Sequence, residues 1–369
     1  MAKAALAIGG KTLHSVLKIP IAGVICGMLE ESQLDGVTIL IIDKVTLLDM
    51  YLINQVDQIV KKVKKTGQPF GGLITILFGD FLQLPPINTS ADQKEEVKYI
   101  FDSHIWKNIV TFHLTKRAVL LRWREGKMIG EDQSFLKERS ISSRLNTDKD
   151  YEFVAKKINE IIGVFDAFDV MFVTRLNFVV DWMNYFRFTQ GANQQELRQL
   201  SNAWAPPQAV VPAKILMAPS LVCINMRILI TESQIGDNDD KPRMLNGMMR
   251  SVLQLRPAYG IVDRVLVILE NGIKHRTRQI PRSLTGDLYW PFRPCYATTF
   301  HKVQGLTLRH VAVDTHHNLK DGMFYVGCSR VRSRHGSNIV GPIPKYIKFN
   351  REVLGKQREI EASNIIPSD

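Results

Sequence analysis

Asp43 closes the apolar run Val37-Thr38-Ile39-Leu40-Ile41-Ile42, and Lys44 follows it directly. A buried strand that delivers a carboxylate to its carboxyl end is one way nucleotide hydrolases hold magnesium, a hard cation that takes oxygen ligands. In such sites the next position is ordinarily a glutamate that accepts a proton from the attacking water. A protonated lysine has no lone pair for that task. These two neighbours therefore point in opposite directions about nucleotide hydrolysis.

Three further segments carry groups that handle phosphate. Gly79-Asp80-Phe81-Leu82-Gln83-Leu84-Pro85-Pro86-Ile87 follows a second apolar run. The Gln83 carboxamide is placed there to hydrogen-bond a terminal phosphate, and the two prolines fix the backbone behind it. The same residues also read as a Gly-Asp turn with a proline stop. Thr298-Thr299-Phe300-His301-Lys302-Val303-Gln304-Gly305-Leu306-Thr307-Leu308 gathers hydroxyls, an imidazole, an ammonium and a carboxamide around one glycine. That set suits a nucleic-acid backbone or a nucleotide, and equally a solvated loop. In Tyr325-Val326-Gly327-Cys328-Ser329-Arg330-Val331-Arg332-Ser333 an arginine could stabilise charge on a transferring phosphoryl group. Taken alone, that run is also an ordinary basic surface stretch.

The elements that would position these groups alternate strand and helix. Val37–Ile42 reads as a buried parallel strand, Leu47–Lys65 as an amphipathic helix and Leu73–Phe78 as a second buried strand. Lys61, Lys62, Lys64 and Lys65 place cations at the helix end, and Gly67 stops it. This rhythm predicts a parallel α/β sheet. A charged, helix-compatible stretch from Leu120 to Lys157 bridges to a second lobe opened by the strand Val170–Thr174. From Lys214 to Gly286 the pattern turns β-like, with turn signals at Asn246-Gly247 and Asn271-Gly272. Val311–Asp314 returns to the α/β pattern.

Composition narrows the classes. The 369 residues are 45% apolar and 23% charged, as in an ordinary globular chain, and the net charge of +12 favours a polyanionic partner. Cys26, Cys223, Cys295 and Cys328 form no C-x-x-C pair, which argues against zinc and a disulfide framework and fits a reducing compartment. No apolar run reaches the roughly 20 residues of a membrane span. The first ten residues are too short and glycine-terminated for a signal peptide. An intracellular protein without membrane attachment is expected.

Together the segments resemble the PIF-type (petite integration frequency) helicases, superfamily-one motors that unwind DNA in the 5′-to-3′ direction. Ala4 to Ser15 is similar to motif Ia and the G-G-x-T-x-H-S element after it. Ile41 to Asp49 is similar to Walker B, Gly79 to Pro86 to motif III, and Leu114-Thr115-Lys116-Arg117 to the motif IV region. Arg124-Glu125-Gly126 fits the R-x-G element, Phe172 to Asn177 the opening of the second lobe, and Leu245-Asn246-Gly247 the V-N-G before the small barrel. Residues 299–308 resemble motif V and 325–333 motif VI.

The resemblance implies an α/β fold of two RecA-like parallel-sheet lobes, the first truncated, with a small β-barrel inserted in the second. The first lobe is expected over residues 1–115, a helical linker over 116–165 and the second lobe over 166–342. The insertion falls at about 240–286 and a C-terminal tail at 343–369. Asp43 would hold Mg2+, Gln83 would sense the γ-phosphate of ATP, and Arg117 and Arg330 would reach the triphosphate. Gln304 and Gly305 would couple nucleotide to DNA, and His14, Thr298, His301 and Lys302 would line the path of single-stranded or forked DNA. No G-x-x-x-x-G-K-[ST] occurs in the sequence, and Gly9-Gly10-Lys11-Thr12 reads as the element after motif Ia, so the P-loop that precedes motif Ia in the family is expected to be absent from this chain. That absence and Lys44 together imply weak or no ATP hydrolysis by this chain. The other function class left open is a non-catalytic single-stranded nucleic-acid-binding protein or mobile-element relic. A eukaryotic member would work in the nucleus or mitochondrial matrix, in DNA repair, recombination or telomere-type roles.

Overall fold

The computed structural model describes residues 10–19, 34–86, 98–112, 121–142, 144–162, 170–191, 198–199, 221–235, 242–244, 246–258, 261–269, 272–281 and 288–363. In the first lobe, β1 (Ile39–Asp43) pairs in parallel with β2 (Ile74–Phe78), with Asp43 opposite Phe78. Between them runs α2 (Met50–Lys64), which follows a short α1 (Leu13–Leu17) in the chain. The Asp49 carboxylate caps α2 by accepting from the Leu52 amide at 2.7 Å, and Lys61, Lys62 and Lys64 complement the dipole of its last turn. α2 buries Ile53, Val56 and Val60 in a core shared with Ile42, Phe70 and Leu17. The helix starts three residues later than its apolar spacing predicts, because Val45–Leu47 forms a 3-10 turn first. On the other face of this sheet Ile39, Ile41, Ile74, Ile76 and Phe78 are 40–64% exposed, so the described lobe covers one side only.

The second lobe contains β3 (Ser140–Ser142), β4 (Val170–Thr174), β10 (Ala297–Thr299), β11 (His310–Asp314) and β12 (Ser337–Val340), in the order β10-β4-β11-β12-β3. Every pairing is parallel. All five residues of β4 are buried, as a parallel strand covered on both faces requires. One face packs on α5 (Asp148–Ile162) and α6 (Asn177–Gly191) through Val154, Ile158, Val179 and Met183. The opposite face packs on Phe300, Phe324 and Val326 and on Trp123, Phe135 and Leu136. Those last three residues sit on α3 (Leu121–Arg124) and α4 (Gly130–Glu138). The stretch read as a helical linker thus carries helices, but its strand β3 belongs to the second-lobe sheet.

An antiparallel sheet interrupts the second lobe. β5 (Arg227–Ile230), β6 (Met249–Ala258), β7 (Ile261–Leu269), β8 (Lys274–Thr277) and β9 (Phe292–Pro294) line up as β8-β7-β6-β5-β9 around Val252, Val262, Val265, Val267 and Leu269. The β-rich insertion expected at about 240–286 therefore reaches from Arg227 to Pro294. Among the described residues its order runs from one edge to the other without a pairing that closes a barrel. The C-terminal segment also differs from a plain tail: α9 (Arg351–Ser363) packs Val353 and Leu354 against Leu82 and Tyr99 of the first lobe. No helix among the described residues is long and apolar enough to cross a membrane.

Two buried polar residues of α6 fix the strand that leads to the Thr298–Leu308 segment. The Asn184 side chain accepts from the Tyr296 and Ala297 amides at 2.7 and 2.8 Å and donates to the Ala297 carbonyl. Arg187 is 1% exposed and donates to the Val170 and Tyr296 carbonyls, each at 2.7 Å. Burial, then the Arg227 charge, pushes its pKa down to about 9. These bonds pin the backbone where β10 begins, adding to the Phe172 amide that already donates to the Tyr296 carbonyl at 3.0 Å.

Candidate functional site

The loops leaving β1 and β2 lie side by side because the two strands are parallel neighbours. Asp43 ends β1 with an exposed carboxylate. Lys44 turns the chain with φ of 59°, a left-handed conformation uncommon for a side-chain-bearing residue. After β2, the Asp80 carboxylate accepts from the Leu82 amide at 3.1 Å and from Gln83 Nε2 at 3.1 Å. Arg124 donates to the same carboxylate through Nη2 at 2.7 Å and Nε at 3.1 Å. Asp80 thus holds the Gln83 side chain and ties it to the helical segment between the lobes.

Gln304 meets both loops from the second lobe. Its Nε2 donates to Gln83 Oε1 at 2.9 Å, and its main-chain carbonyl accepts from Lys44 Nζ at 3.2 Å. The residue is 5% exposed, and its Oε1 has no hydrogen-bond partner. A buried acceptor left open costs desolvation, so this oxygen is a ready acceptor for an incoming donor. Gly305 follows with φ of +85°, and a Cβ there would stand 2.9 Å from Lys44 Nζ. Close approach also governs the start of α8 (Met323–Cys328). Its cap Gly322 has φ of +74°, and a Cβ would fall 2.1 Å from the Gln83 carbonyl oxygen.

Arg330 follows α8 and is folded onto it. Its Nε donates to the Val326 carbonyl at 2.9 Å and its Nη2 to Ser329 Oγ at 2.7 Å. Burial lowers its pKa, while Tyr325 and Asp80 act to raise it. The arginine therefore stands within the field of the Asp80 cluster but spends its donors on its own helix end.

The nucleic-acid candidates cluster beside Gln304. Thr298 is buried on β10 opposite Val173, and its Oγ1 has no partner. α7 (Phe300–Val303) carries His301 and Lys302 and buries Phe300 and Val303, so Gln304 stands at the end of the turn that presents them. Burial, then Lys320, lowers the His301 pKa. Lys302 is exposed as a residue, yet desolvation of its ammonium, and then the neighbouring Arg293, bring its pKa down to about 8. Beneath them Asp181 is buried on α6, and burial raises its carboxyl to about 6 against the pull of Arg293 and Lys302.

The structure thus brings Gln83, Gln304 and Gly305 together beside the strand end that carries Asp43, with Thr298, His301, Lys302 and Arg330 on the adjoining second-lobe elements. His14 lies on α1 in the first lobe, and no described hydrogen bond or ion pair links its side chain to that set. Arg117 falls outside the described residues. Sequence reasoning assigned no role to Asp80 or Arg124, which organise Gln83. The signal was present in the Gly79-Asp80 and Arg124-Glu125-Gly126 motifs, but their pairing is a tertiary fact. It also missed the buried pair at the end of β11, where Asp314 Oδ2 meets Thr174 Oγ1 at 2.5 Å and His317 Nδ1 at 2.8 Å.

Two parallel-sheet lobes, joined through loops at their strand ends, with an antiparallel sheet inserted in the second, make a mixed α/β fold. Residues 2–137 match the family model described as PIF1-like helicase. The chain is 25% identical over 375 residues to the ATP-dependent DNA helicase PIF1 of Danio rerio, covering 95% of this chain and 55% of that protein. It is 23% identical to the ATP-dependent DNA helicase RRM3 of Saccharomyces cerevisiae, covering 97% of this chain and 60% of the relative. The chain therefore spans between half and two thirds of the length of these curated relatives. Among solved structures, Pif1 helicase from Bacteroides in complex with ADP-AlF3 and ssDNA aligns with a TM-score of 0.70 and 19% identity, covering 99% of this chain and 86% of that one. Pif1 helicase from Candida albicans aligns with a TM-score of 0.65 and 20% identity, covering 98% and 87%.

Proposed function

We propose that this chain is the two-lobed motor region of an ATP-dependent DNA helicase acting on single-stranded or forked DNA, and that it hydrolyses ATP poorly. The observation that carries this reading is the convergence of both first-lobe strand-end loops on Gln304. A residue that touches the loop after Asp43, touches Gln83 and also ends the turn bearing His301 and Lys302 can pass a change at the nucleotide to the nucleic acid.

The residues fit magnesium and a triphosphate in part. Among the described residues no group of three or more His, Cys, Asp or Glu side chains could hold a metal by itself. A single exposed carboxylate such as Asp43 suits Mg2+ when nucleotide phosphates and water supply the remaining oxygens. Asp43 would hold the ion, whose charge would offset that building up on the phosphates. Gln83 would need to turn its Nε2, which donates to Asp80, toward the terminal phosphate, and Arg330 to leave the Val326 carbonyl. Lys44 supplies no base for water, and its ammonium is already committed across the cleft.

A DNA-stimulated phosphate-release assay tests the proposal. The expected result is turnover far below that of ordinary helicases, with magnesium-dependent nucleotide binding lost in Asp43→Ala. Turnover like theirs would overturn the claim of impairment. The engagement of Lys44 also favours a second reading, a non-catalytic single-strand-binding protein. Binding that falls steeply with salt, without nucleotide turnover, is the outcome that selects it.

A further inference from the structure

We infer that Lys44 is an interlobe tether that holds the cleft closed without nucleotide. Lys44 follows the last residue of β1, in the first lobe, and Gln304 lies 260 positions away in the second. The ammonium crosses this gap to a main-chain carbonyl, an acceptor that no side-chain rotation can withdraw. A lysine–carbonyl hydrogen bond is charge-assisted and stronger than a neutral one. The space it uses exists because residue 305 is glycine, since a Cβ there would stand 2.9 Å from Nζ.

The left-handed backbone at Lys44 is the second observation. A residue at φ of 59° is held there by its surroundings, at an energetic cost for a side chain of this type. Here the turn faces the second lobe, and the Nζ bond to Gln304 fastens it. The third observation is the neighbouring bond from Gln304 Nε2 to Gln83. One second-lobe residue is gripped twice, through its carbonyl by Lys44 and through its amide by Gln83, so separating the lobes at this point breaks both bonds. A carboxylate at residue 44 could not make the first contact, because it would face the carbonyl as a second acceptor. Lys44 is a positioning residue in this account. It fixes Gln304, and through Gln304 the turn carrying His301 and Lys302, whether or not the chain hydrolyses ATP.

Distances between spin labels at Lys62→Cys on α2 and Lys156→Cys on α5 test the tether, in a Cys26→Ser background where Cys223, Cys295 and Cys328 are buried. Without nucleotide or DNA, the chain with Lys44 intact should give one narrow distribution, unchanged by a non-hydrolysable ATP analogue with magnesium. Lys44→Met should lower the closed-to-open ratio by about tenfold and make it respond to the analogue. Lys44→Arg should restore the narrow distribution. If Lys44→Met does not fold, Lys44→Gln, neutral and too short to span the gap, serves the same comparison. A distribution in the neutral variants identical to that of the lysine form would overturn the proposal, as would a broad distribution in the lysine form. These readouts use no turnover, so their failure is distinguishable from failure of the helicase reading.

Discussion

At the scale of single residues, the site is organised by one carboxylate, that of Asp80. Asp80 receives Gln83, Arg124 and its own turn, and the ion pair with Arg124 is mostly buried, with side chains 21% and 14% exposed. Removing one partner of such a pair leaves the other desolvated. Arg124→Ala is expected to destabilise the fold by about 1–3 kcal/mol, measured by urea unfolding, and to free the Gln83 side chain. Asp181 gives a pH signature with a definite sign. Its folded pKa of about 6 lies above the ordinary 3.8. Below about pH 4 the carboxyl is protonated in both states. As pH rises from 4 to 6 the unfolded chain releases its proton first, so stability falls across that window and stays lower above it. Asp181→Asn removes the titration and should flatten the stability profile between pH 4 and 6. Above pH 6 it should gain at most about 3 kcal/mol relative to the aspartate form. A profile unchanged by the substitution would remove Asp181 as the cause.

At the scale of elements, short α8 matters more than its six residues suggest. Its start is pressed against the loop after β2, where Gly322 leaves no room for a Cβ beside the Gln83 carbonyl. Gly322→Ala forces either the helix or the loop to move, and also places a side chain at positive φ. The expected cost is about 1–3 kcal/mol. Because the displaced group is Gln83 itself, nucleotide-analogue binding should weaken along with the melting temperature. Loss of stability with unchanged binding would show that α8 only props the loop. The two-stranded sheet of the first lobe shows the opposite condition. Parallel strands are normally covered on both faces, yet one row of isoleucines and Phe78 faces outward.

At the scale of the whole molecule, the net charge of +12 becomes useful where it meets the site. Lys302 stands on the turn that ends at Gln304, and its ammonium titrates near 8. Single-strand affinity should therefore decline between pH 7 and 9 as that charge is lost. Lys302→Ala should remove this decline and reduce the slope of log affinity against log salt by about one phosphate contact. An unchanged slope would take Lys302 off the nucleic-acid path. The apolar runs marked where β1, β2, β4 and β11 lie, but not their burial: β4 is buried throughout as expected, whereas β1 and β2 leave one face exposed. The limits of the inserted sheet were harder to read, since β5 and β9 are short and their partners lie far along the chain. The same holds for α9, whose sparse apolar positions gain meaning only against Leu82 and Tyr99.

Asp43, Gln83, Gln304 and Arg330 were each legible in the sequence as groups that handle phosphate or its metal, and their resemblance to helicase motifs joined them into one set. The oddity of Lys44 was legible too, since an ammonium cannot act as the base that position ordinarily supplies. The tertiary structure decided what those groups do to one another: Gln83 is held by Asp80 and Gln304, Arg330 is turned onto its own helix, and Lys44 spans the lobes to a carbonyl. Sequence spacing sets the chemical identity of a group. Its hydrogen-bond partner, when 260 residues away, is set only by which strand ends the packed sheets bring together.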